Sequence, residues 1–213
     1  NIDLDLVTTG DAVKLAYKLA DVTVGNVIAH HRFNTAKMQW DRWTADIAAA
    51  RTETYAYPGA LPSIECINNI ETDLKRRDFT INAMAVHLDS QHFGELIDVY
   101  KGQSDLDKKL IRILHDDSFK DDATRIWRAV RYEQRLNFSI ERNTMRLLKR
   151  HLHFLDTISG DRIRNELELM IMEPKPEKAL RRASKLGLLS RITPSLQLDH
   201  AMAKKMSRTM GLM

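Results

Sequence analysis

The sequence predicts an α+β protein, with a mixed α/β front third and a rear that is almost entirely helical. Three observations predict it. The chain has only 8 glycines and 5 prolines in 213 residues, about half the ~12% share of an average protein, which disfavours a many-turned β-sandwich. Its 43% apolar and 29% charged residues are typical of a globular chain. Near residue 105 the hydrophobic pattern changes from short strand-like runs to helical spacing.

The front part alternates strands with helices. Residues 2–7 form a short apolar run interrupted by carboxylates, and residues 11–20 have helical spacing. A second helix is predicted at residues 70–77, with Asn69 as its N-cap. Asp41 and Arg42 separate two strand-like runs and predict a tight hairpin. Further strands are predicted at 24–29, 36–40, 43–48, 83–88 and 93–99.

The rear part reads as successive helices with their own start and stop signals. Ser118 to Asp121 has the spacing of a capping box ahead of the next helix. Pro174 and Pro176 separate two of the helices, and Gly187 closes the last one. The predicted helices cover residues 122–136, 142–151, 161–172 and 177–189. The boundary between the two parts is expected between residues 100 and 118.

Composition narrows the class of protein. The single cysteine, Cys66, excludes a disulfide framework and fits a reducing cytoplasm. No apolar stretch approaches ~18 residues, and the first residues lack the features of a signal peptide, so we expect a cytoplasmic protein without a membrane span. The net charge is +4, and the chain after residue 150 carries 11 basic and 7 acidic side chains. A basic rear is typical of a protein that binds a polyanion, although a solvated surface has the same pattern.

Asp3 and Asp5 lie two residues apart in a strand-like run, so alternation places both carboxylates on one face. Two carboxylates on one face suit a divalent cation, because unpaired they repel. Asp46 interrupts another strand-like run, and if that strand lies beside the first, three carboxylates converge on one metal site. The alternative is a strand end in solvent, which is the commoner origin of a bare Asp-x-Asp.

Two further regions carry arginines suited to phosphate. Arg76 and Arg77 offer forked donors, and Asp78 and Asn82 either hold those arginines or cap the backbone. On the first long helix of the rear, four arginines fall within about a 120° arc, which favours an anion among them. The alternative is pairing with nearby carboxylates, and the residues alone leave the two equal. These arginines are Arg125, Arg128, Arg131 and Arg135, and the carboxylates are Asp105, Asp107, Asp116 and Asp117.

The string Asp73-Leu-Lys-Arg-Arg-Asp-Phe-Thr-Ile-Asn-Ala-Met-Ala85 resembles the signature of the bacterial-type (class II) tRNA nucleotidyltransferase and poly(A) polymerase family. Other motifs match this family in order, over about residues 1–195. They are Asp3-Leu-Asp5, Gly10-Asp-Ala12, Asp46, Arg51-Thr-Glu-Thr-Tyr55, Gly94-Glu-Leu-Ile-Asp98, Asp121-Asp-Ala-Thr-Arg125, Arg128-Ala-Val-Arg131 and Asp161-Arg-Ile-Arg-Asn-Glu-Leu167.

The resemblance implies a polymerase β-like nucleotidyltransferase head with a small mixed sheet, followed by an all-helical neck and body. The implied bounds are a catalytic head at 1–114, a nucleotide-recognising neck at 115–174, and the start of an RNA-binding body at 175–213. The family's glycine motif, which precedes Asp-x-Asp, and its C-terminal body and tail are expected to lie outside this chain. Asp121 stands where the family has a glutamate.

The resemblance also implies template-independent addition of C and/or A from CTP and ATP to the 3′ end of tRNA, with release of pyrophosphate. It makes Asp3 and Asp5 ligands of two Mg²⁺ ions, with Asp46 as the third catalytic carboxylate. The nucleotide-binding residues are Arg77, Asp122, Arg125, Arg128 and Arg131, supported by Arg76, Asp78, Asn82 and Asp121. The alternatives are a poly(A) polymerase, a CC-only or A-only enzyme, and a non-catalytic RNA-binding fragment.

Overall fold

The computed structural model describes residues 2–196, and the α+β fold is confirmed. The chain divides into two compact units. The first comprises the chain up to Thr54 together with Pro62–Arg76, and the second comprises Tyr55–Leu61 together with the chain from Arg77 onward. The division differs from the expected head boundary near residue 114, because residues 77–112 pack with the helices. That boundary, and the neck and body bounds after it, stay predictions; residues 197–213 of the expected body lie outside the described residues.

A four-stranded mixed sheet forms the first unit. Its order is β1-β4-β3-β2, with β1 and β4 parallel and the other pairs antiparallel. One helix, α1, packs on one face of this sheet, where small alanines allow close approach. The expected hairpin is confirmed, and Asp41 adopts a φ of 47° in its turn. The elements are β1 (Ile2–Thr8), α1 (Ala12–Thr23), β2 (Asn26–His30), β3 (Thr35–Trp40) and β4 (Trp43–Ala49).

A smaller hairpin and a short helix complete the first unit. Strands β5 (Arg51–Thr54) and β6 (Ser63–Cys66) pair antiparallel, and α2 (Ile70–Lys75) packs on β5. Asn69 caps α2 as expected, accepting a hydrogen bond from the Thr72 amide at 2.8 Å.

The second unit is built mainly from helices around one apolar core. Its strands form only two-residue pairs, so the strands expected at 83–88 and 93–99 are much shorter than predicted. The pair β9 and β10 was not predicted at all. The elements are β7 (Ala85–Val86), β8 (Leu96–Ile97), α3 (Gly102–Asp107), β9 (Leu110–Ile111), α4 (Ser118–Asp121), α5 (Thr124–Arg135), β10 (Ser139–Ile140), α6 (Arg142–Arg150), α7 (Gly160–Ile171), α8 (Pro176–Leu186) and α9 (Leu188–Ile192).

The core of the second unit surrounds α5. Trp127 and Ile126 are fully buried, together with Phe79 and Phe119 from the segments before the helix. The long helix therefore has one apolar side set in the core, while its arginines lie on the other side, where Arg125 and Arg131 are also buried. No helix within residues 2–196 is both long and apolar enough to cross a bilayer.

The capping box expected at Ser118 is wrong. Ser118 is fully buried at the start of the separate short helix α4, and its hydroxyl accepts a hydrogen bond from Arg125 at 2.7 Å. The N-cap of α5 is Ala123, which has no capping side chain, and Asp122 just before it accepts a hydrogen bond from the Thr124 amide at 3.0 Å. The sequence does not show that the Ser118 hydroxyl is buried against Arg125. The capping-box spacing of residues 118–121 therefore predicted the wrong role for Ser118.

Gly102 packs closely against the Thr80 backbone and the Met84 side chain, and a substitution at this position tests that packing. A Cβ at this position would overlap the Thr80 carbonyl oxygen and lie 2.8 Å from the Met84 Cγ. We expect Gly102→Ala to lower the free energy of unfolding by about 1–3 kcal/mol, because the backbone must move. Gly160→Ala is the matched control, since nothing lies within 4 Å of its Cβ. Equal denaturant midpoints for the two variants would contradict this packing.

Candidate active site

Three aspartates share one exposed face of the sheet in the first unit. Strands β1 and β4 are parallel neighbours, and their register places Asp5 directly beside Asp46. Asp3 lies two residues before Asp5, so alternation puts it on the same face. The condition set for the metal site, that the strand of Asp46 lies beside that of Asp3 and Asp5, is therefore met, and the metal site itself stays a prediction. The intervening Leu4 and Leu6 point toward the α1 side and pack on its core.

The aspartates differ in their partners. Asp46 faces Lys37 on β3 at 3.6 Å, and both side chains are well exposed. Within residues 2–196, Asp3 and Asp5 make no side-chain hydrogen bond or ion pair. The oxygens of the three carboxylates do not all lie within 4.8 Å of one another, in keeping with the repulsion of like charges. This oxygen-only donor set, exposed on one strand face, suits a hard divalent cation such as Mg²⁺.

Arg76 belongs to an ion-pair network that anchors α2 to β5. Its guanidinium contacts Asp73 at 2.9 Å and Glu53 at 3.0 Å. Arg51 reaches Glu53 at 3.1 Å, and its amide donates to Asp73 at 3.0 Å. These ion pairs hold Arg76 within the local fold of the first unit, and its supporting role in nucleotide binding stays a prediction.

The second unit contains the rest of the motif at residues 73–85, which includes Arg77, Asp78 and Asn82. Arg77 is partly buried. Asp78 is 6% exposed, and its Oδ1 accepts from the Phe79 amide at 2.8 Å and from the Asn82 side chain at 3.1 Å. Its Oδ2 contacts Arg128 at 2.6 Å. Asp78 therefore caps the backbone and holds an arginine of α5.

Three of the four arginines of α5, namely Arg128, Arg131 and Arg135, face carboxylates, but not the expected ones. Arg131 contacts Glu173 at 3.3 Å and lies 3.9 Å from Glu166. Arg135 lies 4.0 Å from Glu173. Of the carboxylates expected as alternatives, Asp105 instead pairs with Arg112 at 2.8 Å. The partners of the α5 arginines come from Asp78 and from α7 and the segment after it, at distances along the chain that helical spacing cannot reveal.

Asp122 and Arg125 are not brought together as a pair. Arg125 is 5% exposed and donates to the Ser118 hydroxyl. Asp122 contacts Arg162 of α7 at 2.7 Å while it accepts from the Thr124 amide. Arg162 was not among the predicted nucleotide-binding residues, although it lies in the family motif at residues 161–167.

Asp121 lies 3.8 Å from His115. Burial raises the pKa of the Asp121 carboxyl, and the positive charge of that histidine opposes the rise.

These residues form a charged cluster, defined here as Asp78, Asp122, Arg128, Arg131, Arg162 and Glu166. Burial raises the pKa of Glu166, while Arg128 and Arg131 oppose that rise. Burial is the largest single influence on the pKa of Arg128 and lowers it, but Asp78, Tyr132 and Glu166 together raise it, so the net direction is upward. Several buried polar atoms of the cluster make no hydrogen bond within the described part of the chain: Arg128 Nε, Arg131 Nε, Arg162 Nη1 and Glu166 Oε2. Two of these atoms, Arg131 Nε and Glu166 Oε2, lie 3.9 Å apart and attract each other by charge without a hydrogen bond.

The mixed sheet with its carboxylate face and the arginine-rich helical unit define the class of protein, a nucleotidyltransferase head followed by helices. Residues 1–112 match the family model described as the poly A polymerase head domain. Residues 137–199 match a model described as the probable RNA and SrmB-binding site of polymerase A. The chain belongs to the poly A polymerase head-domain family.

Individual relatives agree with this assignment. An A-adding tRNA nucleotidyltransferase from Geobacter sulfurreducens is 44% identical over 201 residues, which are 93% of this chain and 23% of that protein. The structure of a CCA-adding enzyme in apo form II has a TM-score of 0.90 at 40% identity, over 97% of this chain and 49% of that one. A tRNA nucleotidyltransferase complexed with a primer tRNA and an incoming ATP analogue has a TM-score of 0.86 at 36% identity, over 96% and 58%. The chain thus spans about a quarter to about half of the length of these relatives.

Proposed function

We propose that this chain carries the catalytic head of a template-independent nucleotidyltransferase that adds C and/or A from CTP or ATP to the 3′ end of tRNA. The observation that carries the proposal is the register of Asp5 beside Asp46, with Asp3 on the same face. The 3′-hydroxyl oxygen attacks the α-phosphorus, a new P–O bond forms, the bond to the β-phosphate breaks, and pyrophosphate leaves. The hydroxyl proton passes to solvent. We place the protein in the cytoplasm.

Asp3 and Asp5 would hold the Mg²⁺ ions, with Asp46 beside them. Bound there, the ions supply Lewis acidity that lowers the pKa of the 3′-hydroxyl and neutralises the phosphates. Lys37, which faces Asp46 at 3.6 Å, balances part of the carboxylate charge until then. An exposed pair of this kind contributes little to stability, so giving it up costs little.

The charged cluster of the second unit would bind the nucleotide. Its carboxylates hold Arg128 and Arg131 in place, and the Arg128 guanidinium, which is 37% exposed, is suited to a phosphate or a base edge. Arg77 would add positive charge to the same task. Asp122, oriented by Arg162, would accept from the exocyclic amino group of cytosine or adenine. Arg125 would act through Ser118 and α4, because its guanidinium is buried there.

A-only addition is the second candidate, favoured by the name of the Geobacter sulfurreducens relative. The experiment that tests both is addition of labelled nucleotides to two tRNAs, one lacking all three terminal nucleotides and one ending in CC. CCA addition predicts incorporation of C and then A into the first tRNA. A-only addition predicts incorporation of A into the second tRNA and no incorporation of C. No incorporation into either tRNA with Mg²⁺ present would contradict the proposal.

The RNA partner gives a separate prediction. Helix α8 carries three exposed basic side chains on one face, Lys178, Arg181 and Lys185, and none makes an ion pair within the described residues. We expect tRNA affinity to fall steeply with salt, because such contacts release counterions. The double variant Lys178→Gln and Arg181→Gln is expected to flatten the log–log slope by roughly 1–2 units.

Binding is measured by fluorescence anisotropy between low and moderate salt. Arg164→Gln is the matched control, since Arg164 is exposed but already faces Asp161 and Glu168 at 3.6 Å each. It should change the slope less than the α8 variant does. A salt slope that the α8 substitutions leave unchanged would show that this helix does not contact RNA phosphate.

A further inference from the structure

The hairpin between β7 and β8 carries a cluster of two histidines around one carboxylate. His87 Nδ1 lies 2.9 Å from Asp89 Oδ2, and His92 Nδ1 lies 3.0 Å from Asp89 Oδ1. One ligand atom from each of the three residues lies within 4.8 Å of the others. Between Ile2 and Leu196, no other group of three His, Cys, Asp or Glu side chains meets that distance. The cluster lies in the second unit and is separate from the three aspartates of the first.

The backbone of the hairpin holds the cluster together. The Gln91 and His92 amides donate to Asp89 Oδ1 at 3.0 and 2.9 Å, which orients the carboxylate. His87 is fixed by two backbone hydrogen bonds, from its amide to the Glu95 carbonyl and from the Gly94 amide to its own carbonyl, both 2.9 Å. Gly94 makes the return turn possible with a φ of 85°. All three ligands therefore come from one short, locally determined segment.

The donor set is one suited to a transition-metal ion. Two imidazoles and one carboxylate are the protein ligands of many zinc sites that leave a fourth position to water. In a tetrahedral site with bonds of about 2.0–2.1 Å, neighbouring ligand atoms lie roughly 3.3–3.4 Å apart. The two nitrogen–oxygen distances here are 2.9 and 3.0 Å and run to the two different oxygens of Asp89. An ion therefore enters when the rings move outward and the carboxylate turns one oxygen toward both nitrogens.

The protonation of the two histidines also allows a cation to replace the hydrogen bonds to Asp89. An ionised carboxylate only accepts hydrogen bonds, so each Nδ1 that faces Asp89 carries a proton. A cation among these atoms replaces both protons, and each neutral imidazole then carries its proton on Nε2. The side chains of His87, Asp89 and His92 are 38%, 48% and 51% exposed, which leaves room for a water ligand.

We propose that His87, Asp89 and His92 bind one divalent first-row transition ion, with Zn²⁺ as the expected occupant and water in the fourth position. The ion fixes the turn of the hairpin by joining its two ends through side chains. It differs in kind from the ions expected at Asp3 and Asp5, because imidazole nitrogen favours Zn²⁺ over Mg²⁺, whereas an oxygen-only set favours Mg²⁺.

The test is a Zn²⁺ titration of the whole chain against a chromogenic chelator, with millimolar Mg²⁺ present to occupy the aspartate face and no nucleotide. We expect one Zn²⁺ per chain with high affinity. His87→Ala, His92→Ala and Asp89→Asn should each weaken that binding by roughly tenfold or more. With Co²⁺ in place of Zn²⁺, the wild-type chain should show the intense visible absorption of a four-coordinate site, and Asp89→Asn should lose it.

His153→Ala is the matched control, because it removes an exposed histidine of the same unit whose Nδ1 faces the Arg150 carbonyl at 3.1 Å. It should leave Zn²⁺ affinity unchanged. Far-UV circular dichroism confirms that the variants fold, as expected for exposed positions. The proposal is overturned if the wild-type chain binds no Zn²⁺ under these conditions, or if Asp89→Asn and His92→Ala bind it as tightly as the wild type.

Discussion

Replacing Asp5 by asparagine is expected to reduce nucleotide addition on the order of a thousandfold while tRNA binding survives. The loss corresponds to several kcal/mol of charge stabilisation in the transition state. Asp5 lies beside Asp46 in the register of the two parallel strands, so it is the central carboxylate of the three. Asp3→Asn should have a similar effect, because Asp3 lies on the same face. The measurement is single-turnover addition at saturating Mg²⁺, alongside tRNA binding by anisotropy.

The same variants should not be less stable than the wild-type chain. Asp3 and Asp5 have no side-chain partner within the described residues, and neighbouring carboxylates repel. Removing one charge is therefore expected to leave the melting temperature unchanged or raise it slightly. Asp41→Asn is the matched control, since Asp41 lies exposed in the β3–β4 turn of the same sheet. Full activity in Asp5→Asn, or an equal loss in Asp41→Asn, would remove the metal-site assignment.

Asp122→Ala is expected to relax base selection more than it slows the chemistry. Cytosine and adenine present an amino group that this carboxylate can accept from, whereas uracil and guanine present a carbonyl oxygen there. An unpaired acceptor costs about 1–3 kcal/mol, so the preference for CTP and ATP over UTP and GTP should fall roughly tenfold to a hundredfold. The measurement is kcat/KM for each of the four nucleotides.

Glu141→Ala is the control for the stability that Asp122→Ala loses when a hydrogen bond at a helix start is removed. Both carboxylates accept from a threonine amide at the start of a helix: Asp122 from the Thr124 amide at 3.0 Å, just before the N-cap of α5, and Glu141 from the Thr144 amide at 2.9 Å, as the N-cap of α6. Each variant should lose about 1 kcal/mol of stability, but only Asp122→Ala should change selectivity. If Asp122→Ala keeps the full preference for CTP and ATP, then Asp122 acts only at the start of α5 and as the partner of Arg162.

Local patterns predicted the parts of the fold that depend on neighbouring residues. Alternation placed Asp3 and Asp5 on one face, Asn69 was identified as a cap, and the Asp41 turn was identified between its two strands. Each of these depends on chain separations of a few residues. The sequence did not predict that β1 pairs with β4. Asp5 and Asp46 are 41 positions apart, and the register of such distant strands is set by tertiary packing.

The charged cluster shows what the sequence did not reveal. Arg128 reaches Asp78 across 50 positions, and Arg162 reaches Asp122 across 40. Helical spacing correctly placed the arginines on one side of α5, but it carries no information about which distant carboxylate each one meets. Ser118 failed as a predicted cap for the same reason, since the partner of its hydroxyl is a buried guanidinium. The histidines of the β7–β8 hairpin have a local signal in the sequence, the spacing His-x-Asp-x-x-His, but were not among the predicted site residues.

The proposed function requires that the protein itself selects the nucleotide, with no nucleic-acid template. The most direct measurement is to incubate the chain with Mg²⁺, all four nucleoside triphosphates and a tRNA lacking its terminal nucleotides, and then to sequence the 3′ ends. A parallel reaction uses a tRNA ending in CC. The account predicts that extension stops after the missing C and A, or after a single A, with no U or G added. Long A tracts, incorporation of all four bases, or no extension of either tRNA would contradict it.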